Sequence, residues 1–193
     1  PEYRLLQPGI GPLAALAWRT EGDSLVAASQ DGHLAVMHAS IPESSQVFNV
    51  PCTKVHTLLL TPDGKKAILA GAEPTLSLWD LDKSVLTMEF VGHSGQVNCA
   101  AISPDGNTLV SGGKDKTCRV WDLHLGRQLV LYSQHESEVT AVTITGSTVM
   151  SAEKDGYLHR WDLASGDLFE EVRCPEELHK VMEKDVTTLA GIP

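Results

Sequence analysis

Several things are scarce in this chain, and each scarcity removes a class of protein. Lysine and arginine number 15 against 25 aspartates and glutamates, a formal net charge of −10. Binding nucleic acid through an overall field needs clustered cations, so that role is disfavoured, although a local basic patch is not. No apolar run approaches the roughly 18 residues of a membrane span, and no signal-peptide pattern stands at Pro1. Cysteine is limited to Cys52, Cys99, Cys118 and Cys174, with no C-x-x-C pair. Thiols so placed are expected to be buried and reduced, in the cytoplasm or nucleus. The eight histidines show no zinc-motif spacing, so no metal and no cofactor is expected; His33 and His159 fall on strand or turn positions of no evident chemistry. What remains is 42% hydrophobic and 21% charged, the proportions of a globular domain. Because the chain starts at Pro1 without methionine, it is expected to be cut from a longer one.

What the sequence does have is a period. Trp-Asp-Leu occurs at Trp79-Asp80-Leu81, Trp121-Asp122-Leu123 and Trp161-Asp162-Leu163, at intervals of 42 and 40 residues. A further 42 residues back from Trp79 lies Met37, in the apolar run Leu34-Ala35-Val36-Met37, which marks a degenerate fourth copy. Pro62-Asp63-Gly64 and Pro104-Asp105-Gly106 keep the interval and are turn chemistry, with proline fixing φ and glycine accepting positive φ. Gly92-His93 precedes Gln134-His135 by 42, and Asp31, Asp115 and Asp155 each stand six residues before Met37, Trp121 and Trp161. The third copy reads as four strands, 97–102, 108–111, 117–121 and 128–132. Four strands in about 42 residues is the repeat of a propeller blade, whereas helical repeats would be shorter in period.

These residues resemble the WD40 family, whose blades carry Gly-His, a Ser or Thr on the second strand b, an Asp in the b–c turn and Trp-Asp ending the third strand c. The resemblance covers nearly the whole chain. It implies an all-β WD40-type β-propeller of about four blades, two of them partly degenerate, forming an arc of a larger seven- or eight-bladed propeller. By register, 1–7 is the last strand of a preceding blade, and blades follow at 8–50, 51–91, 92–133 and 134–173. Residues 174–184 form an insertion, and 185–193 the first strand of a following blade.

The resemblance also implies a buried hydrogen-bonded network in the last two blades: His93, Ser111, Asp115 and Trp121, then His135, Ser151, Asp155 and Trp161. Ser, His and Asp together invite a hydrolase reading, but no G-x-S-x-G elbow is present and the set recurs at the blade period. A structural device repeats in this way and a unique active site does not, so no enzyme is expected. In blade 2, Pro51, Leu69 and Glu73 stand at the positions of His, Ser and Asp; in blade 1, Gly9, Ala27 and Met37 replace His, Ser and Trp, leaving Asp31. Both blades are therefore expected to lack the network.

Family members are rigid platforms for proteins and peptides. The family's contact positions, carried over by register, are Gln30, Lys54, His56, Gln96, Asn98, Lys114, Glu138, Thr140 and Lys154. Three are lysines, which predicts a face that takes an acidic or phosphorylated segment. The function implied is a non-catalytic protein–protein interaction scaffold or adaptor within a larger protein or complex. Two alternatives are a regulatory or sensor arm of a nucleotide-switched assembly and a propeller that binds nucleic acid or lipid.

Overall fold

A strand buried on both faces reads as a continuous apolar run, and one buried on neither reads as mixed, so each repeat carries its own layering in its sequence. The computed structural model describes residues 10–19, 24–38 and 45–174. The expected strand at 1–7, all of the 174–184 insertion except Cys174, and the expected strand at 185–193 lie outside the described residues. The described residues form sixteen strands and no helix. Contacts within the chain divide it into two units, Pro1–Val91 and Gly92–Pro193.

The first unit holds two four-stranded antiparallel meanders. One consists of β1 (Leu13–Trp18), β2 (Ser24–Ser29), β3 (His33–His38) and β4 (Gln46–Asn49); the other of β5 (Thr57–Leu60), β6 (Lys66–Ala70), β7 (Thr75–Asp80) and β8 (Val85–Val91). The inner strands β1 and β5 are neighbours. Between the sheets lies a core of Val26, Leu34, Val36, Val55, Leu58, Leu69 and Trp79, with Phe48 of β4 tilted against the Trp79 indole at 5.7 Å. The second unit repeats the plan with β9 (Val97–Ile102), β10 (Thr108–Gly113), β11 (Cys118–Asp122) and β12 (Gln128–Tyr132), then β13 (Val139–Thr145), β14 (Thr148–Glu153), β15 (Tyr157–Asp162) and β16 (Leu168–Arg173). Its core joins Val110, Val120, Val139, Val149 and Trp161, and Tyr132 of β12 stacks on Trp161 at 4.6 Å and 5°.

In each sheet the second strand is largely buried and the fourth is largely exposed, as in β10 against β12. The Trp-Asp pair closes strand c by two different means. The indole goes inward, while the Asp122 carboxylate caps the next turn, accepting the His124 and Leu125 N–H groups at 2.8 and 2.9 Å. Asp162 does the same for Ala164 and Ser165. Gly126 and Gly166 then take positive φ, which their lack of a Cβ permits.

Strand register slips by one between Gly112 and Gly113, where β10 pairs with β9. Gly112 also lies close against the next blade: a Cβ there would lie 2.5 Å from Val139 Cγ1, and 3.0 Å from Cys99 Sγ of its own sheet. Replacing Gly112→Ala should destabilise the second unit by about 1–3 kcal/mol through overpacking. Combining it with Val139→Ala should cost less than the sum of the two single changes, a coupling visible in denaturant unfolding. Strict additivity would show that the blades do not meet at this point.

Candidate functional site

Burying an indole N–H, an imidazole and a carboxylate is tolerable only if each finds a partner, and the third blade meets that demand with one proton arrangement. Asp115 in the β10–β11 turn accepts from His93 Nδ1 at 2.9 Å and from the Ser94 N–H at 3.0 Å. The Thr117 hydroxyl adds a third donor at 2.9 Å. With its proton on Nδ1, His93 presents a bare Nε2 that accepts the Ser111 hydroxyl at 2.8 Å, and Ser111 Oγ accepts the Trp121 indole N–H at 2.8 Å. The loop before β9, the end of β10, the following turn and β11 are thereby tied together. Burial lowers the His93 pKa, partly offset by Asp115. For Asp115, burial is outweighed by the Ser94 N–H, His93 and Thr117, and its pKa falls.

The fourth blade is built differently from its register. Ser151 does bridge His135 Nε2 and the Trp161 indole, both at 3.0 Å. The carboxylate facing His135, however, belongs to Glu153 (Nδ1–Oε1 2.8 Å), and Asp155 is exposed. Asp155 must therefore be replaced by Glu153 in this network. The cause is at the equivalent position in the third blade, Gly113, where a Cβ would press on Asp115 Oδ1 and His93 Nδ1 at 3.1 Å. A side chain at that point takes the aspartate's usual place beside the histidine, and the longer glutamate supplies the carboxylate instead, with Asp155 lying against Glu153. Glu153 also accepts the Ser137 N–H at 2.8 Å and His159 Nε2 at 2.9 Å, while the Tyr132 hydroxyl donates to His159 Nδ1 at 2.7 Å. Burial pushes Glu153 up to about 7 and His135 down to about 3, and lowers His159.

The first two blades keep more polar bonding than the register suggested. In blade 2, the Trp79 indole donates to Ser77, two residues earlier on the same face of β7, at 3.0 Å. Glu73 accepts the Thr53 N–H at 3.1 Å and the Thr53 hydroxyl at 2.7 Å, so it clamps the loop before β5 as Asp115 clamps Ser94. In blade 1, Asp31 is bonded by Ser29 and lies 3.1 Å from His33 Nδ1. Gly9 lies outside the described residues. Cys52 and Cys118 are buried free thiols and Cys99 and Cys174 are partly buried; burial pushes Cys52 and Cys99 up to about 12.

The nine candidate contact residues fall into two groups, one per unit. In three blades the turn residue between the second and third strands donates its N–H to the carbonyl of a loop residue just before the first strand: Gln30 to Pro12, Lys114 to Gln96 and Lys154 to Glu138, at 2.8–2.9 Å. In blade 2 the same bond runs from Ala72 to Thr53, and Lys54, at φ 50°, instead donates to the Gln30 carbonyl. Lys54 thus sits one residue beyond the equivalent position. His56 Nε2 bonds the Gly71 carbonyl, Asn98 donates to the Val139 carbonyl and the Thr140 hydroxyl to the Ala152 carbonyl. These three serve the scaffold at least in part. Gln30, Lys54, Lys114 and Lys154 are exposed, with Lys154 Nζ 4.0 Å from Glu138.

Residues 84–122 match the family described as WD domain, G-beta repeat. Among curated proteins the chain is similar to the guanine nucleotide-binding protein subunit beta of Arabidopsis thaliana, 29% identical over 103 residues, covering 50% of this chain and 27% of that protein. The namesake from Nicotiana tabacum is 28% identical over 102 residues, 49% and 27% of the two chains. That from Oryza sativa subsp. japonica is 27% identical over 176 residues, 83% of this chain and 46% of the relative. The chain thus spans about a quarter to a half of the length of these relatives. With the repeated Trp-Asp-capped four-stranded sheets, these matches identify WD40-type repeats in the chain. Among the described residues no helix is long and apolar enough to cross a membrane.

The buried imidazoles set a pH dependence. His93, His135 and His159 titrate below the ordinary value of about 6.5 when folded and near it when unfolded, so unfolding takes up protons as the pH falls below that value. Their contribution is present above pH 6.5 and lost on acidification. Glu153, raised to about 7, works in the opposite sense, because its stabilising contribution is lost as pH rises from the ordinary carboxylate range. Three groups against one predict that the melting temperature falls between pH 7 and pH 5. A flat or rising profile over that interval would contradict the burial of neutral imidazoles.

Proposed function

We propose that this chain is a non-catalytic interaction scaffold whose contact face is the set of turn and loop residues clamped together at one end of each blade. The observation that carries this reading is the backbone bond repeated in all four blades between the second turn and the loop before the first strand, reinforced by carboxylate clamps at Asp115, Glu153 and Glu73. Loops fixed in this way present side chains at set positions without having to be ordered on binding, which lowers the entropic cost of recognition. The repeated polar sets serve the scaffold, with each serine hydroxyl already engaged by both indole and imidazole. Further blades of the same parent chain complete the propeller in this reading, in keeping with relatives about two to four times longer than the matched stretch.

The partner segment is acidic or phosphorylated. Lys114 supports this most directly, as an exposed cation beside Gln96, while the charge of Lys154 is shared with Glu138. A second reading, a subunit of a nucleotide-switched assembly, is favoured by the relatives' designation as subunits of guanine nucleotide-binding proteins. Recovery of bound GDP or GTP with the purified assembly would support that second reading.

For the first reading, an array of acidic and phosphorylated peptides, matched with their neutral counterparts, provides the probe. Lys114→Glu should weaken the selected peptides about three- to tenfold, roughly 0.7–1.4 kcal/mol, mainly through slower association. Lys65→Glu, in the hairpin turn between β5 and β6, should change little. If Lys65→Glu weakens binding and Lys114→Glu does not, the contact face has been placed at the wrong end of the blades.

A further inference from the structure

The two blades of the second unit solve the same problem with different charges. In the third, the buried carboxylate of Asp115 has a guanidinium near it, with Arg119 Nη2 at 4.0 Å. In the fourth, the position of Arg119 on the third strand is taken by His159, and both ion-pair partners of Glu153 are imidazoles. Glu153 is 1% exposed, with no guanidinium in the place where its counterpart has one. A buried carboxylate with no guanidinium or ammonium beside it, and with the Asp155 carboxylate against it, is costly, and the two side chains that create this situation, Glu153 for glycine and His159 for arginine, are also metal-ligand types.

The arrangement of the donor atoms fits an ion. His135 Nδ1, a Glu153 oxygen and His159 Nε2 all lie within 4.8 Å of one another, with side-chain exposures of 0%, 1% and 2%. Directly across the strand pair from His159, Glu171 places Oε2 3.5 Å from the same Nε2 and is 48% exposed, which gives the cluster a fourth donor atom and a path to solvent. The opposite nitrogen of each imidazole is already engaged, His135 Nε2 with the Ser151 hydroxyl and His159 Nδ1 with the Tyr132 hydroxyl. Such outer partners orient ligating histidines and fix their tautomers. We propose that His135, Glu153 and His159, with Glu171 at the mouth, form a binding site for a divalent transition-metal ion of the zinc type.

Two imidazoles with carboxylate oxygen select zinc-like ions over magnesium or calcium, which prefer oxygen alone. Tetrahedral zinc with bonds of roughly 2.0–2.2 Å needs ligand atoms about 3.4 Å apart. The present contacts of 2.8 and 2.9 Å to Glu153 therefore open by about half an ångström when the ion replaces the protons between them. On binding, each ring proton moves from the ion-facing nitrogen to the outer one, where Ser151 Oγ or Tyr132 Oη accepts it. Any proton on Glu153 passes to solvent. A site assembled from a loop and three strands has no short sequence motif, which is why histidine spacing did not indicate it.

The intact protein, stripped with chelator, is titrated with Zn2+ by calorimetry. One ion per chain should bind with a Kd below about 1 µM, some 8 kcal/mol or more. Glu153→Gln and His159→Arg, the latter restoring the residue type of the third blade, should each weaken binding more than about 100-fold. Tyr132→Phe, which keeps all ligands, should weaken it about 10- to 100-fold. Absence of binding, or equal binding by all variants through exposed imidazoles such as His124, overturns the proposal. Should the ligand variants fail to fold, Co2+ added to the unmodified protein decides. The intense absorption of a four-coordinate ion supports the site, and the weak spectrum of a six-coordinate one overturns it.

Discussion

The serine hydroxyl between an indole and an imidazole is the contact on which the best-formed blades depend. Ser111 and Ser151 each accept a tryptophan N–H and donate to a histidine nitrogen, joining the outer end of the second strand to the third strand and to the loop that leads in from the previous blade. Neither the indole nor the imidazole could be buried alone, since an unpaired buried donor costs about 1–3 kcal/mol. Together they convert a desolvation cost into a constraint on three chain segments. The constraint extends outward through His93 to Asp115 and through His135 to Glu153, and those carboxylates hold the next backbone N–H groups, at Ser94 and Ser137.

From this constraint follows the layout of the candidate interaction face. Loops that would otherwise be the least ordered parts of a β fold are fixed from below by buried side chains and sideways by the bond from the turn to the loop. Gln96 and Lys114, or Glu138 and Lys154, are therefore neighbours because their backbones are bonded, whatever their side chains do. The side chains are free to vary between blades, and their chemistry does vary, from the cation of Lys114 to the shared charge of Lys154 and Glu138.

Much of this was legible from the chain itself, and the misses have a common form. The period, the turns at Asp63 and Asp105, and the set His93, Ser111, Asp115 and Trp121 could be read because blade 3 keeps residues of the usual length at each position. What could not be read was substitution in space by a residue displaced in sequence. Glu153 reaches with a longer side chain to the place of Asp155, Ser77 receives the Trp79 indole in place of position 69, and Thr53 with Glu73 replaces a loop histidine and its aspartate. Register alignment compares positions, whereas a buried donor needs only an acceptor within about 3 Å. Gly113 was the available signal, since a glycine at that position in one blade and a glutamate in the next changes which carboxylate fits.

The most direct test of this account is native-state hydrogen exchange of the tryptophan indole protons. If the serine bridges hold the blades together, the Trp121 and Trp161 indole N–H groups exchange only through the opening of their whole unit, with the same denaturant dependence as the backbone amides of β10 and β14. Trp18, 58% exposed, should exchange orders of magnitude faster in the same spectra. Exchange of Trp121 and Trp161 at rates close to that of Trp18 would show that the bridges open locally, and would contradict the claim that they organise the loops.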